Sequence, residues 1–228
     1  MVTNSKNDLR INGLGNSSGG SYNFVQINGK GEITGDIDCT DLQINGLGSI
    51  HGNVNAGGVR VAGKSEIDGN LKGAEIINDG MTEVGGGISS ERIENRGMLK
   101  VERDCGAETF RSQGGFAIGG LLNAGKIDIE LYVASRAREI GGEDIDVRAG
   151  DAFGFKKFLS SIFPALQLNR GLSADTIEGD TIYLEHSTVK VVRGADVNIG
   201  PGCQIEIVEY KRTLRKDPSS TVRQDRKV

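Results

Sequence analysis

Residues 31–54 read GEITGDIDCTDLQINGLGSIHGNV, and the pair Ile33 and Ile37 around Gly35 returns as Ile50 and Val54 around Gly52, 17 positions later. The same offset holds outward in both directions. One column runs Val25, Leu42, Val59, Ile76, Ile93, Phe110, Ile127; another runs Gly29, Gly46, Gly63, Gly80, Gly97, Gly114. Ile33, Ile50, Ile67, Val84, Val101 and Ile118 form a third, and Ile37, Val54, Leu71, Ile88, Cys105 and Leu122 a fourth. Self-similarity at a fixed period marks a repeat architecture. Within each repeat the apolar residues are two apart, as in Leu42 and Ile44, which is the period of a short strand with one buried face.

A strand this short cannot bury its own face, so successive repeats must stack. The expectation is an all-β, single-domain parallel β-helix with about 17 residues per turn, consecutive turns rising by about 4.8 Å. Its inner surface carries ladders of Ile, Val and Leu. A glycine recurring at one corner implies either a positive φ or a coil too narrow for a side chain. The column Ile27, Ile44, Val61, Asn78, Asn95, Ser112, Ile129 turns polar midway, so Asn78 and Asn95 are expected to form an amide ladder.

After Gly114 the period loosens. Ile145 and Val147 restore the apolar pair after one extra residue, and apolar pairs continue from Ser173 to Tyr210. Between these stretches, residues 151–170 differ in kind. Phe155, Phe158, Leu159, Ile162, Phe163 and Leu166 fall at helical spacing, so an amphipathic helix is expected there, capped by Asp151 and ended or kinked at Pro164. That face either packs on the coil or meets a membrane surface or a partner. The domain layout is thus a flexible N-terminal segment 1–22, a β-helix 23–210 with the insertion 151–170, and a basic, disordered tail 211–228.

Composition agrees with an aliphatic, often-turning chain: of 228 residues, 35 are Gly, 3 are Pro and none is Trp. The net charge is −4, but residues 211–228 hold seven Lys or Arg against Asp217 and Asp225. The body is therefore acidic, which argues against nucleic-acid binding by the folded part. Three widely separated cysteines without CxxC spacing fit reduced thiols. With no secretory signal or apolar spanning run in the sequence, cytoplasmic residence is expected.

Motifs with catalytic associations are weak. Gly58 to Ser65 matches the P-loop expression, yet its residues fall on repeat columns and another short strand follows where a helix is required. His51 and His186 are the two histidines, and neither has a nucleophile fixed nearby. Asp36, Asp38 and Asp41 cluster without a calcium-binding repeat. No catalytic, cofactor-binding or metal-ligating residue is expected.

The units Gly31 to Ile37, Leu42 to Gly46 and Ile50 to Val54 resemble those of the bactofilins, bacterial polymer-forming cytoskeletal proteins. The likeness covers about residues 25–150, and Val197 to Tyr210 resembles the closing turns of Gram-positive, Bacillus-type members. It implies a right-handed, triangular coil that assembles end to end into nucleotide-independent, non-polar filaments. Such proteins scaffold envelope enzymes, shape cells or support motility, and some reach the membrane. The chain departs from the family in its length and in the insertion at 151–170.

Stacking physics points the same way, because an open coil end leaves strand edges unpaired. Val25, Ile27, Val197, Ile199, Ile205 and Ile207 are the expected polymerisation ends, and the partner is a homopolymer. Two other classes stay open. One is a non-polymerising adaptor that binds a partner or a membrane surface through 151–170. The other is a hexapeptide-type β-helix acyltransferase, suggested by Ile199 to Ile205, although such repeats give about 18 residues per turn and need a histidine base.

Overall fold

The computed structural model describes residues 7–150 and 170–228, and the described residues are all-β. The strands pair in parallel, coil upon coil: the fold is a parallel β-solenoid. The chain is described as two compact units, Met1–Glu108 and Thr109–Val228.

In the first unit β1 (Asn7–Ile11) lies on β2 (Leu14–Ile27), which lies on β3 (Lys30–Ile44). Above β3 each coil is a short strand followed by a longer one: β4 (Leu47–His51) with β5 (Val54–Val61), β6 (Lys64–Ile67) with β7 (Leu71–Asn78), and β8 (Met81–Val84) with β9 (Ile88–Asn95). β10 (Met98–Val101) lies on β8. From β3 upward every paired residue is 17 positions from its partner, for instance Ile33 with Ile50, Leu42 with Val59 and Ile76 with Ile93. The columns read from sequence are therefore the buried ladders. Ile33, Ile44, Ile50 and Ile93 are wholly inaccessible to solvent. Each such side chain contributes roughly 1.5–3 kcal/mol of transfer free energy.

The corner glycines resolve the choice left open by sequence. Gly63 has no positive φ, but a Cβ placed on it would lie 1.9 Å from the carbonyl oxygen of Gly46. Gly46, Gly80 and Gly97 meet the coil beneath in the same way. Hydrogen bonding draws them close: Ala62 and Gly63 N–H both donate to the Ile44 carbonyl (2.8 and 3.2 Å), and Lys64 N–H donates to Gly46 (2.8 Å). Close approach, not backbone handedness, selects glycine here.

β11 (Cys105–Ser112) crosses the division in the chain. The second unit holds β12 (Gly115–Leu131), β13 (Ala134–Ala149), β14 (Gly171–Leu184), β15 (Ser187–Ile199), β16 (Gln204–Lys216) and β17 (Thr221–Lys227), and from β13 onward each lies on the one before. Its offsets vary. Ile127 pairs with Ile145, 18 on; Ile182 pairs with Val197, 15 on; Val189 pairs with Ile205, 16 on; Gln204 pairs with Thr221, 17 on. The inner column Ile145, Ile182, Val197 stays buried throughout. Phe110 and Phe116, both buried, meet edge to face with ring centres 5.5 Å apart.

Three expectations about the layout change or fall outside the structure. The N-terminal segment is not loose over its described part, since residues 7–11 lie in β1 and residues 14–22 in β2. The basic tail is not disordered: residues 211–216 finish β16 and most of the rest forms β17. Both stretches are polar because they alternate few inward residues with many outward ones, so composition hid their strands. The expected helix at 151–170, with its face of Phe155, Phe158, Leu159, Ile162, Phe163 and Leu166, lies outside the described residues, Arg170 excepted.

Candidate functional site

The six residues expected to form the coil ends all lie one strand inside the outermost described strands. Val25 and Ile27 are fully buried, covered by Leu9 and Ile11 of β1. Val197 and Ile199 pair with Leu214 and Lys216, while Ile205 and Ile207 pair with Val222 and Gln224 of β17. Ile207 does not point inward; Val208 takes the buried position, because the chain turns a corner between Glu206 and Val208. The outermost apolar side chains are instead Leu9 and Ile11 on one strand and Leu214 and Val222 on the other two. The sequence signal for these was faint, since a terminal strand offers only one or two apolar residues among polar ones.

The flanks of the first unit carry ladders that repeat with the coil. Asn53 N–H donates to the Asp36 carboxylate (2.7 Å), Asn70 N–H to the Asn53 side-chain oxygen (2.9 Å) and Gly87 N–H to that of Asn70 (2.9 Å). Asn45 Nδ2 donates to Asn28 (2.8 Å), and Asn28 to Asn12 (2.7 Å). Inside, Asn78 Nδ2 donates to Asn95 (2.8 Å) and to the Met98 carbonyl (2.9 Å), while Thr82 Oγ1 donates to Asn78 (2.9 Å). The expected amide ladder is thus present and buried. Stacked side chains here satisfy one another across coils, which is how a solenoid keeps polar groups at its surface and core without losing hydrogen bonds.

Residues with catalytic associations sit in structural roles. Lys64 of the P-loop-like stretch is exposed, 3.9 Å from Glu83, and Ser65 is buried on the inner face of β6. No helix follows it. His51 lies on the surface between Asp68 (Nδ1 to Oδ2, 2.7 Å) and Glu32 (Nε2 to Oε1, 3.3 Å). The bond to Asp68 holds the His51 pKa above its usual value. His186 adopts a left-handed φ of 46° at a corner, where its N–H donates to the Pro201 carbonyl (2.9 Å). Burial pushes the Cys105 thiol up to about 12, and Cys39 and Cys203 are buried as well. Tyr183 donates to Glu185 (2.6 Å), which raises it to about 12, while the other oxygen of Glu185 accepts Ala149 N–H (2.7 Å). These groups fasten strands; a protonated tyrosine and a buried thiol are poor bases and nucleophiles.

Among the described residues no group of three His, Cys, Asp or Glu is placed to hold a metal ion. No described helix is long and apolar enough to cross a membrane. An open groove of about 650 Å³ lies on the second unit, running across five coils from Ile118 to Arg223. Its walls are side chains at matched positions on successive strands, found only through the observed register.

Two curated proteins of Bacillus subtilis (strain 168) are similar to the chain. Uncharacterized protein YhbF is 39% identical over 110 residues, 48% of this chain and 42% of its own length. Uncharacterized protein YhbE is 40% identical over 112 residues, 49% of this chain and 44% of its own. The match thus spans less than half of either relative. No family model and no solved structure matches the chain.

Proposed function

We propose that the chain is a structural scaffold, without catalytic activity, that self-assembles by stacking solenoid coil on solenoid coil in the absence of nucleotide. The observation that carries this reading is β17, whose described partner, β16, occupies one edge only. A strand edge left in this state presents a row of N–H and C=O groups at the spacing of the next coil. A further parallel coil from a second copy satisfies that row. The resemblance of residues 31–54 to bactofilin repeats supports the same reading, and with it a role in organising cell-envelope or cell-shape components from the cytoplasm.

Negative-stain electron microscopy of the purified chain without nucleotide, with pelleting alongside, tests it. Filaments are expected, and Leu9→Asp or Val222→Asp, each placing a charge on an outermost strand, should shorten or abolish them with the fold intact. Stable small particles at all concentrations would overturn the proposal.

A further inference from the structure

The groove on the second unit is bordered by two rows of exposed side chains running along the stack. One row is Arg136, Ser173, Thr188, Gln204 and Thr221, joined partner to partner by the strand register. The second, two residues on in each strand, is Arg138, Asp175, Lys190, Glu206 and Arg223. Their charges alternate, plus and minus, coil by coil. All five are exposed, and Lys190 and Asp175, which pair within the chain at 2.6 Å, keep 65% and 51% of their side-chain surface.

We infer that this flank is a lateral contact for a second copy of the same chain, running antiparallel and offset by one coil. Spacing selects the occupant. Charges on successive coils repeat at about 4.8 Å, whereas one face of an extended peptide repeats at roughly 6.6 Å and a helix turn at about 5.4 Å. Another stack of parallel strands is the surface that stays in step over five coils. Charge selects the arrangement. Two antiparallel copies in direct register set like charges opposite one another at every coil. An offset of one coil sets Arg138 against Glu206 and Asp175 against Lys190, each twice by symmetry; the offset in the other sense sets Asp175 against Arg223 and Lys190 against Glu206. Turning the copies parallel places the charged row against the largely uncharged one and gains nothing.

The contact is small. Five coils at about 4.8 Å and two rows of side chains cover roughly 300 Å² per copy, well under the ~800 Å² typical of a stable pair. A single pair is therefore weak and salt-sensitive, and the contact strengthens where copies are held in series. It lies along a flank, so it does not rest on the end-to-end reading.

Two variants test it, both altering exposed residues only. Asp175→Lys with Glu206→Lys makes the row wholly positive; Arg138→Glu, Lys190→Glu and Arg223→Glu together make it wholly negative. Sedimentation at low ionic strength should show salt-dissociable self-association of the parent chain, weakened roughly tenfold or more in each variant alone. An equimolar mixture of the two should associate more tightly than the parent, and any filaments should keep their length while changing in lateral pairing. Circular dichroism checks that each variant is folded. Self-association of either variant at the parent's strength, a mixture no tighter than the parent, or a parent chain without salt-sensitive association would each overturn the inference.

Discussion

The two units solve one problem under different constraints. From β3 to β10 the first keeps an offset of 17 at every pairing, while the second passes through 19, 18, 37, 15, 16 and 17. Both keep their inner ladders intact. What differs is the corner. In the first unit Gly46, Gly63, Gly80 and Gly97 stack so closely that no side chain fits between coils. In the second, one corner keeps that device, with a Cβ on Gly142 or Gly179 only 2.5 or 2.6 Å from the carbonyl oxygen beneath, while another carries His186 at φ 46° and Gly202 at φ 74°. The comparison teaches that the ladder, not the coil length, defines a solenoid: residues can be added or removed at a corner as long as strands re-enter in register.

Three measurements would break or sharpen that contrast. The largest effect is expected from Gly63→Ala, because the new Cβ has carbonyl backbone 1.9 Å away with nowhere to move. A loss above about 3 kcal/mol is expected by chemical denaturation. Gly141→Ala in the second unit meets side chains alone, the Asn123 oxygen at 3.1 Å and Leu121 Cδ1 at 3.7 Å, and should cost less than about 1 kcal/mol. Equal costs would mean that the stacked corner is not what fixes the period.

A middle effect is expected at the buried amides. Asn78→Ala removes one hydrogen-bond partner each from Asn95 and Thr82 and should destabilise by about 2 kcal/mol. Replacing Asn78 and Asn95 by Ile and Thr82 by Val together should recover most of that loss, as the second unit's column of Val147, Leu184 and Ile199 is apolar throughout. Failure of the triple variant to recover would show that the amide ladder supplies more than mutual satisfaction.

The smallest concerns His51. Its folded pKa is raised by the Asp68 bond, so its stabilisation is complete below the unfolded value and is lost as pH rises through the folded one. Thermal melts from about pH 5 to about pH 9 should therefore show the parent gaining on His51→Gln at the acid end only. A difference that is constant or grows with pH would remove the ion-pair account.

Much of the first unit was legible in sequence because position in the repeat equals position in space. Ile33, Leu42 and Gly46 name the face, the ladder and the corner without any structure. The glycine's reason was not legible: a positive φ and a close approach leave the same letter. In the second unit the pairs Ile145 and Val147 or Ile182 and Leu184 could be read as strands, but not which residue meets which. Arg138, Asp175, Lys190, Glu206 and Arg223 fall at irregular intervals in the chain, so no fixed period could gather them into one row. The outermost strands were lost for a further reason. Asn7–Ile11 and Thr221–Lys227 bury so little that their polarity reads as tail.

The constant offset of the first unit also bears on how such a gene can change. Duplicating the segment that encodes one coil inserts strands whose every neighbour is of a kind already present, with the same glycine under the same carbonyl. Growth or shrinkage by whole coils is therefore a single mutational step there. In the second unit each coil fits only its own neighbours, and the same event would need several compensating changes before the chain folded again.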